Sequence, residues 1–249
     1  MRRRRYWGWG LLAALVGVQI GYPLVSGSVR AAFVVVTVVL GFALSVGHAA
    51  ATRGPRTAAA LVAVTVGGGL AVEALGVATC VPFGCYSYGS SLGPRVLGVA
   101  WVIPLAWTWM AWPAWLVAGV LVRRVGLRVA VAAWALASWD LFLDPQMVAE
   151  GYWTWTGRVR GLPGVPEVPV GNYLGWLLVS LVIMSVLAWV APAARPAPDG
   201  LMCALYLWTY CSSVLAHAVF LGLPWSALWG GVAMGAVAVP LGTKLWRSS

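Results

Sequence analysis

Long apolar runs constrain the fold of this chain more than any other feature. Hydrophobic residues make up 61% of its 249 residues and charged residues 9%, whereas an ordinary soluble domain carries roughly 25% charged residues. A helix needs about 20 apolar residues to cross the hydrocarbon core of a bilayer, and several runs reach that length. The pattern predicts an all-α fold, a polytopic membrane helix bundle of about seven or eight transmembrane helices. One integral membrane domain, residues 1–249, would use the whole chain.

The predicted spans are separated by short links rich in arginine, glycine and proline. They cover residues 6–25, 31–50, 57–79, 96–122, a fifth stretch that ends at Asp144, and then 172–190, 201–221 and 225–245. The four arginines at residues 2–5 resemble the start of a signal peptide, but no small-residue cleavage site follows the first run. We therefore expect a retained first helix. Pro104 and Pro113 predict a kink in the fourth span.

The basic residues indicate how the bundle is oriented. The net charge of +10 comes from small groups between apolar runs, which the positive-inside rule explains better than nucleic-acid binding. With about eight spans and a cytoplasmic N-terminus, 12 of the 16 Lys and Arg residues lie inside, and Arg30, Arg95, Arg158 and Arg160 lie outside. This predicts a multi-pass protein of the plasma membrane, with the polar loops 80–94 and 145–171 on the outer side and no nucleic-acid partner.

Acidic residues are rare and concentrated. Three of the six lie within residues 139–155, and two of these, Asp140 and Asp144, have the i, i+4 spacing that places both on one helix face. We expect Pro145 to end that helix directly after Asp144. Glu73 lies inside the third run, where a carboxylate costs roughly 2.5–3.5 kcal/mol at the bilayer centre, which favours a functional role. The alternatives are a structural hydrogen bond for each acid and turn chemistry for Asp144.

Two neighbouring carboxyl groups in a dry pocket favour general acid catalysis, since one of them can keep its proton and then donate it. The chain has two histidines and none of the common zinc, phosphate-binding or serine-hydrolase motifs. We therefore expect an enzyme without a metal or other cofactor that protonates a lipid-soluble substrate. Its candidate catalytic residues are Asp144, Asp140 and Glu73.

Aromatic side chains are the second candidate feature of such a site. Most of the 17 tryptophans and eight tyrosines are expected in interfacial belts. Tyr86, Tyr88, Trp153 and Trp155 lie in the outer loops beside the acids, where each ring could stabilise a substrate cation by about 0.5–2 kcal/mol. His217, in the outer part of the seventh run, is either a structural histidine of the bundle or a positioning residue near the acids.

The cysteines and two glycines allow more than one interpretation. Cys80 and Cys85 share a loop, and a disulfide between them requires that this loop face an oxidising compartment. Cys203 and Cys211 lie in an apolar run and are expected to be inert packing residues. Gly231 and Gly235 form a small-xxx-small pair that favours close helix contact. The sequence leaves open whether the chain forms a homo-oligomer.

Four blocks of sequence between Glu73 and Trp176 resemble the membrane carotenoid-biosynthesis family of carotenoid 1,2-hydratases and bisanhydrobacterioruberin hydratases. The blocks are residues 73–88 with Pro82-Phe83-Gly84, then Leu92-Gly93-Pro94 leading into Ile103-Pro104-Leu105-Ala106-Trp107, then Asp140-x-x-x-Asp144-Pro145 with Gly151-x-Trp153-x-Trp155, and Pro169-x-x-Asn172-Tyr173-x-Gly175-Trp176. Cys80, Cys85 and Glu167 depart from the family's pattern.

The resemblance implies an isoprenoid hydratase of the hydro-lyase type that acts on a linear carotenoid. Water would add across a terminal double bond and give a tertiary alcohol, without a redox cofactor. Asp144 or Asp140 would donate the proton, and the other aspartate and Glu73 would tune that donor or position water. Asn172 would orient the water or a carboxyl group. The alternatives are an isoprenoid or carotenoid cyclase, an elongase-like membrane enzyme, and a non-catalytic carotenoid or lipid carrier.

Overall fold

The chain is a polytopic membrane helix bundle. The computed structural model describes residues 3–157, 160–191 and 199–248, and within them eight helical segments are long and apolar enough to cross a membrane. The α-helices are α1 (Arg3–Gly21), α2 (Gly27–Arg53), α3 (Pro55–Val62), α4 (Gly68–Thr79), α5 (Ile103–Leu121), α6 (Val125–Ala137), α7 (Asp140–Ala149), α8 (Val170–Val190), α9 (Gly200–Leu215) and α10 (Pro224–Ser248).

Four of the spans are composite. A 3-10 helix, Tyr22–Leu24, extends α1. A π-helical segment, Ala63–Gly67, joins α3 to α4, and a second one, Ala216–Phe220, extends α9. A short break at Ser138 and Trp139 separates α6 from α7. The centre of the bundle is α5, whose span is 83% buried and which packs against α2, α6 and α9.

Short strands organise the loops at one end of the bundle. They are β1 (Tyr86–Tyr88), β2 (Arg95–Val96), β3 (Val99–Ala100), β4 (Trp153–Trp155), β5 (Gly161–Leu162) and β6 (Val165–Pro169). They form three antiparallel pairs, β1 with β4, β2 with β3, and β5 with β6. The sequence predicted turns and aromatic loops here, and the strands are additions to that prediction.

The fourth and fifth spans differ most from the predicted boundaries. The fourth begins at Ile103 instead of near residue 96, because β2 and β3 form a tight turn with Leu97 and Gly98 at φ of 53° and 83°. The predicted end of the fifth helix at Asp144 is wrong, because α7 runs through Pro145 to Ala149. Pro104 lies in the first turn of α5, where its missing N–H has no helical partner to lose.

Serine hydroxyls replace the hydrogen bonds that two internal prolines remove. Pro145 cannot donate to the carbonyl of Leu141, and the Ser226 hydroxyl of α10 donates to that carbonyl over 2.7 Å. Pro113 likewise leaves the carbonyl of Trp109 without its helical donor, and Ser45 Oγ of α2 donates to it over 3.0 Å. Both helices continue because a neighbouring helix supplies the missing donor.

Tryptophans of α5 are buried in the bundle instead of lying in an interfacial belt. Trp107, Trp109, Trp112 and Trp115 are all nearly inaccessible. Trp7, Trp189, Trp225 and Trp246 are exposed. The aromatic content of this chain therefore serves the core of the bundle as well as its surface.

The small-residue pair of α10 packs inside the bundle, and part of the basic residues lies outside the described chain. Gly231 and Gly235 face Val214 and Tyr210 of α9, so the small-residue pair packs within the chain. Arg2, Arg158 and Arg195, which contribute to the charge asymmetry, lie outside the described residues, as does the Ala/Pro-rich stretch 192–198.

Candidate active site

Glu73 of α4 is buried and accepts hydrogen bonds from three side chains. Its Oε2 atom lies 2.5 Å from the hydroxyl of Tyr86 and 2.8 Å from that of Tyr88. Its Oε1 atom accepts the indole N–H of Trp107 over 3.1 Å. Donors thus surround the carboxyl group on both oxygens, which is the arrangement that suits an ionised carboxylate.

Two glycines on the same helix make room for these donors. A Cβ atom on Gly69, one turn before Glu73, would lie 2.7 Å from the Trp107 ring. A Cβ atom on Gly76, one turn after Glu73, would lie 3.0 Å from the Tyr86 hydroxyl oxygen. The pattern Gly69-x-x-x-Glu73-x-x-Gly76 therefore lets two bulky aromatic residues approach the helix on the face that carries the acid.

Tyr86 and Tyr88 are held in place by the β1–β4 pair. Tyr86 lies opposite Trp155 and Tyr88 opposite Trp153, with ring centroids 5.6 Å apart in each case. Both tyrosines are buried, whereas Ser87 between them is exposed, as the alternation of a strand requires. Burial and the adjacent Glu73 raise the pKa of Tyr86 and of Tyr88 above the usual phenol value, so both hydroxyls stay protonated donors.

Asp140 and Asp144 form a buried pair bridged by Asn172 of α8. The Asn172 amide nitrogen donates to Asp140 Oδ2 over 2.8 Å and also to Asp144 Oδ2. Trp153 of β4 donates its indole N–H to Asp144 Oδ1 over 3.0 Å. Among the described residues, Asp140 Oδ1 has no hydrogen-bond partner. Asp140 opens α7, so the positive end of that helix dipole favours a negative charge on the pair.

A small cavity of about 40 Å³ connects Asp144 of the pair with Glu73. We call it the acid cavity. Its polar lining includes Glu73, Asp144 and Asn172, and most of the other lining side chains are apolar or aromatic. Trp107 and Trp176 stack there with centroids 4.0 Å apart and planes 10° apart. Asp140 lies behind Asp144 and is absent from the lining, although its carboxyl group shares Asn172 with its neighbour.

The structure brings seven of the nine predicted site residues together. Glu73, Asp140, Asp144, Asn172, Tyr86, Tyr88 and Trp153 form one cluster, which we call the acid cluster. Trp155 lies next to it but donates to the Phe83 carbonyl and does not line the acid cavity. His217 lies elsewhere, with its ring nitrogens near Ser226 Oγ at 2.9 Å and Gln146 Oε1 at 3.1 Å. It contacts Phe142 and does not line the acid cavity.

Two aromatic residues of the site have no predicted role in the sequence. Trp107 donates to Glu73, and Trp176 stacks on Trp107. Trp176 follows Asn172 by four residues on α8, so the two side chains share a helix face. The four-residue spacing of Asn172 and Trp176, and the glycines that flank Glu73, are the sequence signals that could have identified Trp176 and Trp107.

The cysteines near the site are paired. Cys80 and Cys85 form a disulfide across the turn that leads from α4 to β1. Cys203 is a buried free thiol and Cys211 an exposed one. Within the described part of the chain, no three His, Cys, Asp or Glu side chains are arranged to hold a metal ion.

Comparison with known proteins gives one family. The model of a family described as "Carotenoid biosynthesis protein" matches residues 33–237, a range that contains the whole acid cluster. A curated relative, the bisanhydrobacterioruberin hydratase of Haloarcula japonica, is 36% identical over 131 residues, which cover 49% of this chain and 42% of the hydratase. The match thus spans less than half of that relative's length. No solved structure matches the chain. Since the family match extends over most of the sequence, this chain belongs to the carotenoid biosynthesis protein family.

Proposed function

We propose that this protein is a hydratase that adds water to a terminal isoprenoid double bond of a linear carotenoid. The observation that carries the proposal is a buried Asp pair, bridged by Asn172, of which Asp144 lies on the wall of an apolar and aromatic cavity. A terminal double bond offers no charge and no leaving group, so protonation by an acid is the direct way to activate it. The hydratase of Haloarcula japonica supports the same reaction class.

Asp144 is the proposed proton donor because it lines the acid cavity, whereas Asp140 lies behind it. Two carboxyl groups this close carry a single negative charge more readily than two, so the pair retains one proton. The two carboxyl groups are within hydrogen-bonding reach of each other, so that proton can pass directly between them while Asn172 holds both in place. Asp140 thus serves as the proton reserve of Asp144.

The reaction proceeds in two steps that return the site to its starting state. The π electrons of the terminal double bond take the proton from Asp144 at the less substituted carbon, which leaves a tertiary cation and a carboxylate. The oxygen of a water molecule then bonds to the cationic carbon, and the carboxylate accepts one of the water protons. In the overall reaction the alkene and one water molecule give a tertiary alcohol, and Asp144 is protonated again.

The cation that forms between these steps is stabilised by charge and by ring faces. Glu73, surrounded by three donors, supplies a fixed negative charge on the cavity wall. Tyr86, Tyr88 and Trp153 line the same cavity and can present their π electrons, at about 0.5–2 kcal/mol each. The donors that hold Glu73 also keep it from collapsing onto the cation.

The test is expression in cells that make lycopene, followed by mass analysis of the pigments. The wild-type chain is expected to yield pigment with one or two added waters. Asp144→Asn should lower the yield by about 10²-fold or more, the usual contribution of a general acid, and Asp140→Asn should lower it less. Glu167→Gln, at an exposed acid on β6, is the matched control and should retain activity.

Other products would contradict the proposal in distinct ways. An isomer of lycopene without added water would indicate a cyclase, and a longer carbon skeleton would indicate an elongase-like enzyme. Unchanged pigment with every variant would favour a carrier. Wild-type levels of hydrated pigment with both Asp144→Asn and Asp140→Asn would exclude the acid mechanism.

A further inference from the structure

Three cavities follow one another from the acid cavity to the lipid-facing side of the bundle. The second, which we call the middle cavity, has a volume of about 100 Å³, and the third, the outer groove, about 350 Å³. Five residues line both the acid cavity and the middle cavity, namely Val34, Val38, Trp139, Leu143 and Met147. Three residues line both the middle cavity and the outer groove, namely Gln19, Ser212 and Ala216. Each partition is therefore a single layer of side chains.

The outer groove opens where the bundle faces lipid. It lies between the end of α1 and the second half of α9, and its walls are almost entirely apolar. Leu24 is 73% exposed, and Leu215 and Phe220 are 56% exposed. Such large apolar side chains are stable on the surface of a spanning helix only when lipid covers them.

The water-facing end of the acid cavity is closed. The β1–β4 pair lies over it, and Phe83, Tyr86, Tyr88 and Trp153 on its inner side are nearly inaccessible. A hydrocarbon substrate is dissolved in the bilayer and has to reach the acids from there. The side of the bundle, through the outer groove, is thus the direct path.

Local features of α1 and α9 mark the partition between the outer groove and the middle cavity as specialised. Trp208 Nε1 donates to Gln19 Oε1 over 2.7 Å and so joins α9 to α1 beside the outer groove. The π-helical segment Ala216–Phe220 places Ala216 between the groove and the middle cavity and leaves Phe220 on the groove. Single π turns occur preferentially at functional sites because they realign the side chains around them.

The geometry points to a substrate channel in which the polyene of a linear carotenoid extends from the acid cavity through the middle cavity to the outer groove. Its reacting end lies at Asp144 and its far end in the bilayer. The identity of the substrate rests on the proposed function, but the path does not. A linear carotenoid is much longer than the acid cavity, so most of the molecule has to lie outside it. One binding event then exposes one end of the carotenoid to the acids.

The channel can be tested by binding, without turnover, through the native thiol of Cys211. This side chain is exposed and lines the outer groove. In purified Asp144→Asn protein in detergent, lycopene should slow alkylation of Cys211 severalfold, whereas a short acyclic terpene with the same terminal group should not. Val182→Cys, on the exposed face of α8, is the matched control, and its alkylation should be unaffected by either compound.

A second variant tests the same channel by turnover. Ala216→Trp should block the passage between the outer groove and the middle cavity. Ser212→Trp is the alternative variant at the same partition if Ala216→Trp does not fold. Either should lower the hydration rate of lycopene relative to the short terpene by about tenfold, which corresponds to about 1.4 kcal/mol. Val182→Trp places the same indole on the lipid-facing side of α8 and should leave that ratio unchanged.

The outcomes separate the channel from the proposed function. Protection of Cys211 by lycopene, combined with no hydratase activity of the wild-type chain, would support the channel and contradict the function. Hydratase activity without protection, and with equal effects of Ala216→Trp on both substrates, would overturn the channel. Equal loss of activity toward lycopene and toward the short terpene would indicate that the three cavities admit water instead of the substrate.

Discussion

Glu73 accepts hydrogen bonds from Tyr86, Tyr88 and Trp107, so an amide at this position would turn one acceptor into a donor. With the tyrosine hydroxyls kept on the remaining oxygen, the amide nitrogen of Glu73→Gln would face the Trp107 N–H. We expect this variant to be less stable by roughly 1–3 kcal/mol, the cost of a buried donor without an acceptor. The loss should appear as a lower Tm in detergent and as lower hydratase activity.

Two further variants test this interpretation of Glu73. Tyr88→Phe removes one donor and keeps the ring, so it should lower the Tm less than Glu73→Gln does. Glu167→Gln changes an exposed carboxyl and should leave the Tm unchanged. A Glu73→Gln protein as stable as the wild type would mean that the carboxyl group is not held as an anion by its three donors.

At the scale of single residues, the sequence indicates which acids lie inside the bundle but not what surrounds them. The rarity of acids in an apolar chain singles out Glu73, Asp140 and Asp144, and the Tyr-x-Tyr and Trp-x-Trp spacings suit the strands that they form. The sequence assigns Trp107 no role at the site, because nothing local distinguishes a tryptophan in the core from one at the membrane surface. Its partner Glu73 lies on another helix, 34 residues earlier.

Pro145 and Ser226 act together on one helix, because the Ser226 hydroxyl replaces the hydrogen bond that Pro145 removes from α7. Ser226→Ala removes the hydroxyl that donates to the Leu141 carbonyl and leaves that carbonyl without a donor, at a cost of roughly 1–3 kcal/mol. Pro145→Ala restores the backbone N–H that an ordinary helix would use. We expect the double variant to regain part of the Tm that Ser226→Ala loses, which thermal unfolding of the four proteins in a double-mutant cycle would measure.

The matched control for this cycle is Ser185→Ala. Ser185 donates to the Leu181 carbonyl within α8, where the backbone already satisfies that carbonyl and the side chain is exposed. Its replacement should change the Tm little. Additive effects of Ser226→Ala and Pro145→Ala would contradict the pairing and leave the contact of Ser226 with His217 as the source of the loss.

The same pair explains why the sequence predicts helices better than their ends. Apolar runs of span length identify all eight spans, since lipid allows little besides helix there. The prediction that Pro145 ends its helix assumed that the freed carbonyl has no other donor. Ser226 lies 85 residues away from Leu141, and Ser45 lies 64 residues away from Trp109. No local pattern indicates that these serines meet the prolines.

For the whole molecule, one end of the bundle carries the acid cavity, the paired strands and the Cys80–Cys85 disulfide. Disulfides persist in oxidising compartments, so the disulfide and the charge asymmetry of the sequence favour the same orientation. We therefore propose that this end lies outside the cytoplasm and the N-terminus inside. A carotenoid would then meet the acids in the outer half of the bilayer.

This orientation can be tested with a membrane-impermeant maleimide on intact cells, in a Cys211→Ser background. Thr154→Cys, on the exposed side of β4, should be labelled in intact cells because it lies at the end that carries the acid cavity. Gly126→Cys lies at the opposite end, at the start of α6, where a side chain meets nothing within 4 Å. It should be labelled only after the cells are permeabilised. Labelling of Gly126→Cys in intact cells, with Thr154→Cys protected, would mean that the acids face the cytoplasm and that the basic groups do not set the orientation.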